Sequence, residues 1–199
     1  GRIHLYEGHA AKMITLPVRV MRAMGAEWLI ASNAVGGMNP NYQSGDIMVI
    51  EDHINLMTDN PLIGVNDDRL GPRFPDMSEP YDLKMVDAAL AIARKSDFVA
   101  HKGVLVSVTG PNLETRAEYR FLRLIGADVV GMSVIPEVIT AVHCGLKVVG
   151  FSVVTDMCLP DALKPADVDE IIATANAAEP KLRELVAGIV GQIGENCGS

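Results

Sequence analysis

The sequence predicts an α/β fold with a mostly parallel, twisted central sheet flanked by helices on both faces. Two patterns and a composition predict it. Runs of strand length at Trp28–Asn33, Asp46–Ile50, Val104–Val108, Ala127–Ser133 and Leu146–Val154 alternate with segments of helical apolar spacing or helix-start signals, and alternation of that kind builds a parallel sheet with helices over it. Trp28–Asn33 and Leu146–Val154 are nearly continuous apolar runs, which suits strands buried on both faces. With 199 residues, 49% of them hydrophobic, one sizeable core is within reach, so residues 1–199 are expected to form a single domain.

The formal charge of -8 and the pI near 5.0 argue against nucleic acid or a membrane surface as partner, because binding to phosphate backbones requires a basic face. A local anion site is compatible with that global charge. Cys144, Cys158 and Cys197 lack paired C-x-x-C spacing and are expected to be free thiols in a reducing cytoplasm. No apolar run reaches the roughly 18 residues of a membrane-spanning helix, and no signal-peptide pattern is visible. The opening Gly1-Arg-Ile-His-Leu-Tyr-Glu-Gly8 has no Met and reads like the interior of a longer protein.

In chain order, Arg2, His4 and Tyr6 alternate with Ile3 and Leu5, which is strand periodicity. The polar face is either a solvated edge or an anion site, since a guanidinium fork beside an imidazole suits phosphate oxygens. Pro17–Met24 is expected to be a helix stopped by Gly25. The strand from Trp28 should end in a turn at Asn33-Ala-Val-Gly-Gly37, whose glycines either cradle an anion with backbone N–H groups or simply turn the chain. Residues 57–80 are dense in Pro, Gly, Asn and Asp without a period, a long loop that carries the aromatic Phe74. Tyr81–Ala93 is an amphipathic helix.

The strand at Val104–Val108 runs into Gly110-Pro-Asn-Leu-Glu-Thr-Arg-Ala-Glu118. There Thr115 and Glu118 have capping-box spacing, and Ala117, Phe121, Leu122, Leu124 and Ile125 recur on the helix that follows. Ser133 precedes a helix from about Pro136 to His143, where its hydroxyl either caps the helix or meets an anion. The last strand ends at Thr155-Asp156, and a helix of acidic start covers about Asp167–Val190, with a frayed tail from Gly194 to Ser199.

Strand ends in a parallel sheet share one edge, so Asn33-Ala34, Glu114, Met132-Ser133 and Thr155-Asp156 are expected to meet in one crevice. That inventory suits a nitrogen heterocycle plus an anion. Carboxylates serve ring donors, Met132 offers an apolar face, and Arg2, His4 and Ser133 suit an oxyanion. No metal cluster, phosphate-binding P-loop or G-x-S-x-G elbow is present.

Gly1–Gly8, Asn33–Gly37, Gly45-Asp-Ile-Met-Val-Ile-Glu-Asp-His-Ile-Asn55, Gly110–Thr115 and Gly131-Met-Ser-Val-Ile-Pro-Glu137, taken together and in order, closely resemble the low-molecular-mass, trimeric purine nucleoside phosphorylases. The resemblance spans almost the whole chain. It implies reversible phosphorolysis of a purine (2'-deoxy)ribonucleoside to free base and pentose 1-phosphate, with inosine and guanosine favoured, inorganic phosphate as co-substrate and no cofactor. It also implies a cytoplasmic homotrimeric pentosyltransferase of purine salvage.

By the same resemblance, Arg2, His4, the backbone at Ala34 and Ser133 hold phosphate, while Tyr6 and Met132 face the ribose. Phe74 reaches into a neighbouring subunit's pocket. Ala34, Val35, Gly36, Leu113, Glu114, Gly131, Met132, Thr155 and Asp156 surround the purine, with Glu114 accepting from N1–H and position 156 meeting N7 and the 6-substituent. His4, Glu114 and Asp156 are the expected catalytic groups.

Three departures stand out. Asp156 replaces the Asn of 6-oxopurine-specific members and looks like methylthioadenosine phosphorylase, the alternative enzyme reading; a purine-binding module without turnover is the non-enzymatic one. Leu113 stands where an aromatic is usual, and Val168 where a His reaches the ribose 5'-hydroxyl. Family members also carry earlier residues, with a Gly/Ser-rich phosphate loop and another His. The resemblance therefore implies an N-terminally incomplete domain, weak or inactive by itself.

Overall fold

The structure, a computed structural model, describes residues 1–197, with side chains through Glu195. A 3₁₀ turn at Leu5–Glu7 leads into α1 (Ala11–Ile14) and α2 (Leu16–Ala23), with Pro17 in the first turn of α2. There follow β1 (Trp28–Gly37), β2 (Ile47–Asn55), α3 (Leu83–Lys95), β3 (Ala100–Ser107), α4 (Arg116–Leu124), β4 (Val129–Gly131), α5 (Ile135–His143), β5 (Lys147–Met157) and α6 (Val168–Cys197). The long segment between β2 and α3 has no helix or strand, as its composition predicts.

The strands close in the order β1-β4-β3-β2-β5. The pairs β1–β5, β2–β3 and β3–β4 are parallel, whereas β1–β4 and β2–β5 are antiparallel. Two parallel sets, β1/β5 and β2/β3/β4, therefore run in opposite directions and are joined by two antiparallel seams. The mostly parallel sheet expected from the sequence is present, and its closure through two antiparallel seams was not expected.

A register shift at Val35/Gly36 explains one seam: it bends the end of β1 so that Gly36 and Gly37 also pair with Val130 and Val129 of β4. Asn33–Gly37 is thus the second half of a strand and not a turn. Neither glycine has positive φ. Each is needed for close approach, because a Cβ on Gly36 would lie 2.6 Å from Cys158 Sγ and one on Gly37 would lie 2.7 Å from Val154 Cγ1.

Alternate residues of β2 and β5 bury against opposite layers, as period-two strands covered on both faces should. Met48, Ile50, Val148 and Val154 join Val18 of α2 and Ile135, Val138 and Ile139 of α5. Ile47, Val49, Phe151 and Val153 join Met85, Val86 and Ala89 of α3 and Leu185 and Ile189 of α6. A third cluster seats α4 through Tyr119 and Leu122 on Val106, Val130 and Cys158.

The face of α4 differs from expectation. Ala117, Phe121 and Leu124 point outward, Phe121 being 52% and Leu124 85% exposed. Helical spacing here carries two stripes, and periodicity alone does not say which one meets the chain's own core. Asp167 caps α6 by accepting from Asp169 N at 2.9 Å, so the helix begins one residue later than its acidic start implied. It runs to Cys197 where fraying was expected, and Gly198 and Ser199 lie outside the described residues, as does the Cys197 side chain. Cys144 and Cys158 are free thiols.

Candidate active site

A cavity of about 270 Å³ opens where the ends of β1, β4 and β5 meet the turn after β3. The strand ends converge as expected, but for a different reason. The bent end of β1 crosses β4, and β5 runs beside β1, so ends from two opposed sets face one space. Gly131 makes the crossing possible, since a Cβ there would stand 2.8 Å from Asn33 Nδ2.

One end of the cavity is carboxylate-rich. Glu114 sits just before the N-cap of α4, where Thr115 Oγ1 accepts from Glu118 N at 3.2 Å and Glu118 Oε2 accepts from Thr115 N at 2.7 Å, the reciprocal box the sequence predicts. Glu114 is half-buried, and burial pushes its pKa above the ordinary carboxylate value. Its own backbone and the Tyr119 hydroxyl counteract this, while the charges of Glu118 and Asp156 add to it.

Asp156 accepts from Thr155 Oγ1 at 3.1 Å and from Cys158 Sγ at 3.1 Å, one donor on each oxygen. Burial foremost, helped by the nearby Asp156 and Glu114 carboxylates and opposed by Tyr119, pushes the Cys158 thiol up to about 12. Cys158 is therefore a thiol donor to Asp156 and not a nucleophile. The turn at Gly110 (φ +67) brings its backbone against Met132, leaving no room for a Cβ beside the Met132 sulfur.

The other end gathers donors suited to an anion. Arg2 Nε donates to Glu137 Oε1 at 2.8 Å, and Arg2 Nη1 donates to Ser32 O at 2.9 Å. The His4 ring stacks on Tyr6 at 4.7 Å, with its Nδ1 3.3 Å from Glu7 Oε1. Backbone hydrogen bonding at His4 holds the Glu7 carboxyl below its usual range, so Glu7 is an acceptor that orients the His4 ring through Nδ1. Ser133 is buried, and its carbonyl accepts from Ser107 Oγ at 2.7 Å. Ala34 is exposed, and β4 pairs with β1 only at Gly36 and Gly37, so the backbone edge at Ala34 is open to the cavity.

Arg2, His4, Tyr6, Ala34, Val35, Gly36, Leu113, Glu114, Gly131, Met132, Ser133, Thr155 and Asp156 all line this space. The expected strand at Arg2–Tyr6 is absent: His4 is extended and Leu5–Glu7 is a 3₁₀ turn, so ring stacking and not strand alternation aligns His4 with Tyr6. Phe74 does not join the cavity. It is 86% exposed, with Arg73 over its ring, and lies with Ile63, Met77 and Ile139. Val168 is 66% exposed and does not line the cavity.

Sequence reasoning missed Tyr119 and Cys158, while Asn33 joins the cavity as its strand end predicts. Cys158 carried a signal, since residues 156 and 158 share a face in an extended chain. The Asn33 amide accepts from Ser152 Oγ at 2.8 Å, while its buried Nδ2 has no partner among the described residues.

A wider hollow of about 720 Å³ shares Leu113, Glu114, Tyr119, Thr155 and Asp156 and continues toward Lys164 and Glu170. It is the mouth of the same site, because it shares these lining residues, whereas Arg2, His4 and Ser133 line only the smaller space. Among the described residues no His, Cys, Asp or Glu cluster suits a metal ion.

Comparison with known proteins adds an independent line. Residues 4–191 match the profile of the Phosphorylase superfamily. Purine nucleoside phosphorylase 1 of Bacillus subtilis (strain 168) is 46% identical over 192 residues, which cover 96% of this chain and 71% of that protein. Purine nucleoside phosphorylase of Mus musculus is 44% identical over 200 residues, covering 97% of this chain and 69% of that one. Schistosoma mansoni purine nucleoside phosphorylase in complex with inosine superposes with a TM-score of 0.91 at 39% identity, over 96% of this chain and 70% of that one. In complex with adenosine the TM-score is 0.90 at 40% identity, with 96% and 71% covered.

Proposed function

The chain belongs to the phosphorylase superfamily, among its purine nucleoside phosphorylases, and we propose that the cavity between its strand ends is where it phosphorolyses purine nucleosides. The observation that carries this is the polarity of the cavity. Glu114 and Asp156 stand on the side shared with the wider mouth, Arg2, His4 and Ser133 on the side that is not, and Met132 and Tyr6 line the same space.

Phosphate sits at the Arg2 end. The net charge of -8 does not prevent this, because exposed charges beyond about 8 Å are largely screened at physiological salt. A guanidinium about 4 Å from a phosphate oxygen contributes about 4 kcal/mol per unit charge at an effective dielectric of 20. The purine lies toward Glu114, which accepts from N1–H, and the ribose spans Tyr6 and Met132.

As the glycosidic bond stretches, its electron pair moves into the purine and the sugar becomes oxocarbenium-like. A phosphate oxygen then bonds to the anomeric carbon. Stabilising the negative charge on the departing base requires a donor near N7 and the 6-substituent, a task Asp156 fills only as the protonated acid. Glu114 supports 6-oxopurines such as inosine and guanosine. Asp156, an acceptor-only carboxylate when ionised, has lone pairs left beside its contacts to Thr155 and Cys158 and so supports a 6-amino donor as well.

Two features support self-association, which the family resemblance makes a homotrimer. Phe74 is exposed and outside its own cavity, and the Ala117/Phe121/Leu124 stripe on α4 is apolar and uncovered. The sheet common to all three core clusters supports a single domain. A reducing cytoplasm suits the free Cys144 and Cys158, and no helix among the described residues is long and apolar enough to cross a membrane.

Calorimetry on the two ends tests the assignment. Arg2→Ala should abolish phosphate binding and keep hypoxanthine binding, and Glu114→Ala should do the reverse. If each variant loses both ligands equally, the two-ended cavity is wrong.

A further inference from the structure

We propose that Glu137 is a positioning residue for the phosphate end, one carboxylate that fixes both the Arg2 guanidinium and the turn that carries Ser133. The inference rests on the phosphate reading of that end. Glu137 is the third residue of α5; its Oε1 accepts from Arg2 Nε at 2.8 Å and its Oε2 accepts from Val134 N at 2.9 Å. Both side chains of the ion pair are largely buried, at 22% and 18% exposure, so the contact is not a loose surface pair.

The turn it holds is unusual. Ile135 N donates to Ser133 O at 2.9 Å across Val134, whose φ of 71° and ψ of -51° are those of the rarer, strained γ-turn. A β-branched residue resists positive φ, and such conformations persist only where the surroundings over-determine them. Here Ser107 Oγ holds the carbonyl of Ser133 at 2.7 Å, Glu137 holds the N–H of Val134, and the Val134 side chain is fully buried. The turn sets Ser133 at the start of α5, inside the cavity. With Nε committed to Glu137 and Nη1 to Ser32 O, Arg2 keeps Nη2 for an anion, and its rotamer is fixed before the anion arrives.

Glu137→Gln separates positioning from mere structure. Its one acceptor oxygen can still serve Val134 N–H, but its amide NH2 then opposes Arg2 Nε, donor against donor. Calorimetry should show phosphate binding weakened about 10- to 100-fold, as expected for losing a hydrogen bond to a charged group. Hypoxanthine binding should stay within about twofold and the melting temperature close to wild type, as expected for a change that leaves the base end untouched. Glu137→Asp, which keeps the charge but is too short to span both partners, should fall between. Unchanged phosphate affinity in Glu137→Gln would overturn the inference. So would joint loss of both ligands with a lowered melting temperature, which marks a purely structural residue. A wild-type chain that binds hypoxanthine but no phosphate would overturn the phosphate reading itself.

Discussion

Replacing Glu114 by Gln should weaken guanine far more than hypoxanthine and leave adenine bound. Guanine presents two adjacent donors, N1–H and the 2-amino group; hypoxanthine presents N1–H alone, and adenine presents an acceptor at N1. An ionised Glu114 has an oxygen for each guanine donor. A hydrogen bond to a charged group contributes about 1.5–3 kcal/mol and a neutral one about 0.5–1.5 kcal/mol. For hypoxanthine, Gln exchanges the first kind for the second, a loss of about 1 kcal/mol or about fivefold.

For guanine the substitution also sets the 2-amino group against an amide NH2, and an unmade buried bond costs about 1–3 kcal/mol more. The total of about 2–4 kcal/mol corresponds to roughly 30- to 1000-fold. Gln also relieves the burial that raises the Glu114 pKa, but that relief acts on all three bases alike, so the guanine-to-hypoxanthine ratio is the decisive quantity. Adenine can accept from the Gln amide and should bind as well as before or better. Titration calorimetry of the three bases on wild type and Glu114→Gln measures this. Equal losses for guanine and hypoxanthine, or adenine falling with them, would refute Glu114 as the N1 acceptor.

Other outcomes follow from the same geometry. Asp156→Asn gives the 6-substituent an amide donor and should shift preference toward 6-oxopurines by about tenfold, the worth of one hydrogen bond; an unchanged preference would mean that position 156 does not meet that substituent. Burial raises the Glu114 pKa above 4.5, so the folded chain keeps this proton longer than the unfolded one; the group's stabilising contribution is complete below pH 4.5 and is lost as pH rises through the folded value. Glu114→Gln should therefore melt higher than wild type at pH 7 and lose that advantage on acidification, which pH-dependent thermal melts would show. Gly110→Ala must place a Cβ at φ +67 against the Met132 sulfur, and a loss of about 1–3 kcal/mol with a lower melting temperature is expected; an unchanged melt would contradict the packing at that turn.

Local signals carried much of this in the sequence. Thr115 and Glu118 announced the box that sets Glu114, because capping depends on near neighbours only. Apolar runs located β1, β2, β3 and β5, strand ends brought Ala34, Glu114, Met132, Ser133, Thr155 and Asp156 to one crevice, and the family resemblance supplied the rest of the lining. What depended on long-range geometry was hidden. The bulge at Val35/Gly36 joins two oppositely directed strand sets, and nothing local to Asn33–Gly37 distinguishes a bent strand from a turn. The outward stripe on α4 and the exposed Phe74 have the same origin, since spacing identifies an apolar face but not what covers it. Glu137 is by spacing alone an ordinary first-turn acid, and its second role depends on Arg2, 135 residues away in the chain.

The most direct test follows both products of inosine cleavage, hypoxanthine by absorbance and the sugar by phosphorus NMR, with and without phosphate. Whatever turnover this chain supports, hypoxanthine and ribose 1-phosphate should form in equal amounts, and their formation should rise with phosphate and vanish without it. Release of hypoxanthine with free ribose, or at a rate indifferent to phosphate, would contradict a cavity built to hold phosphate against the anomeric carbon.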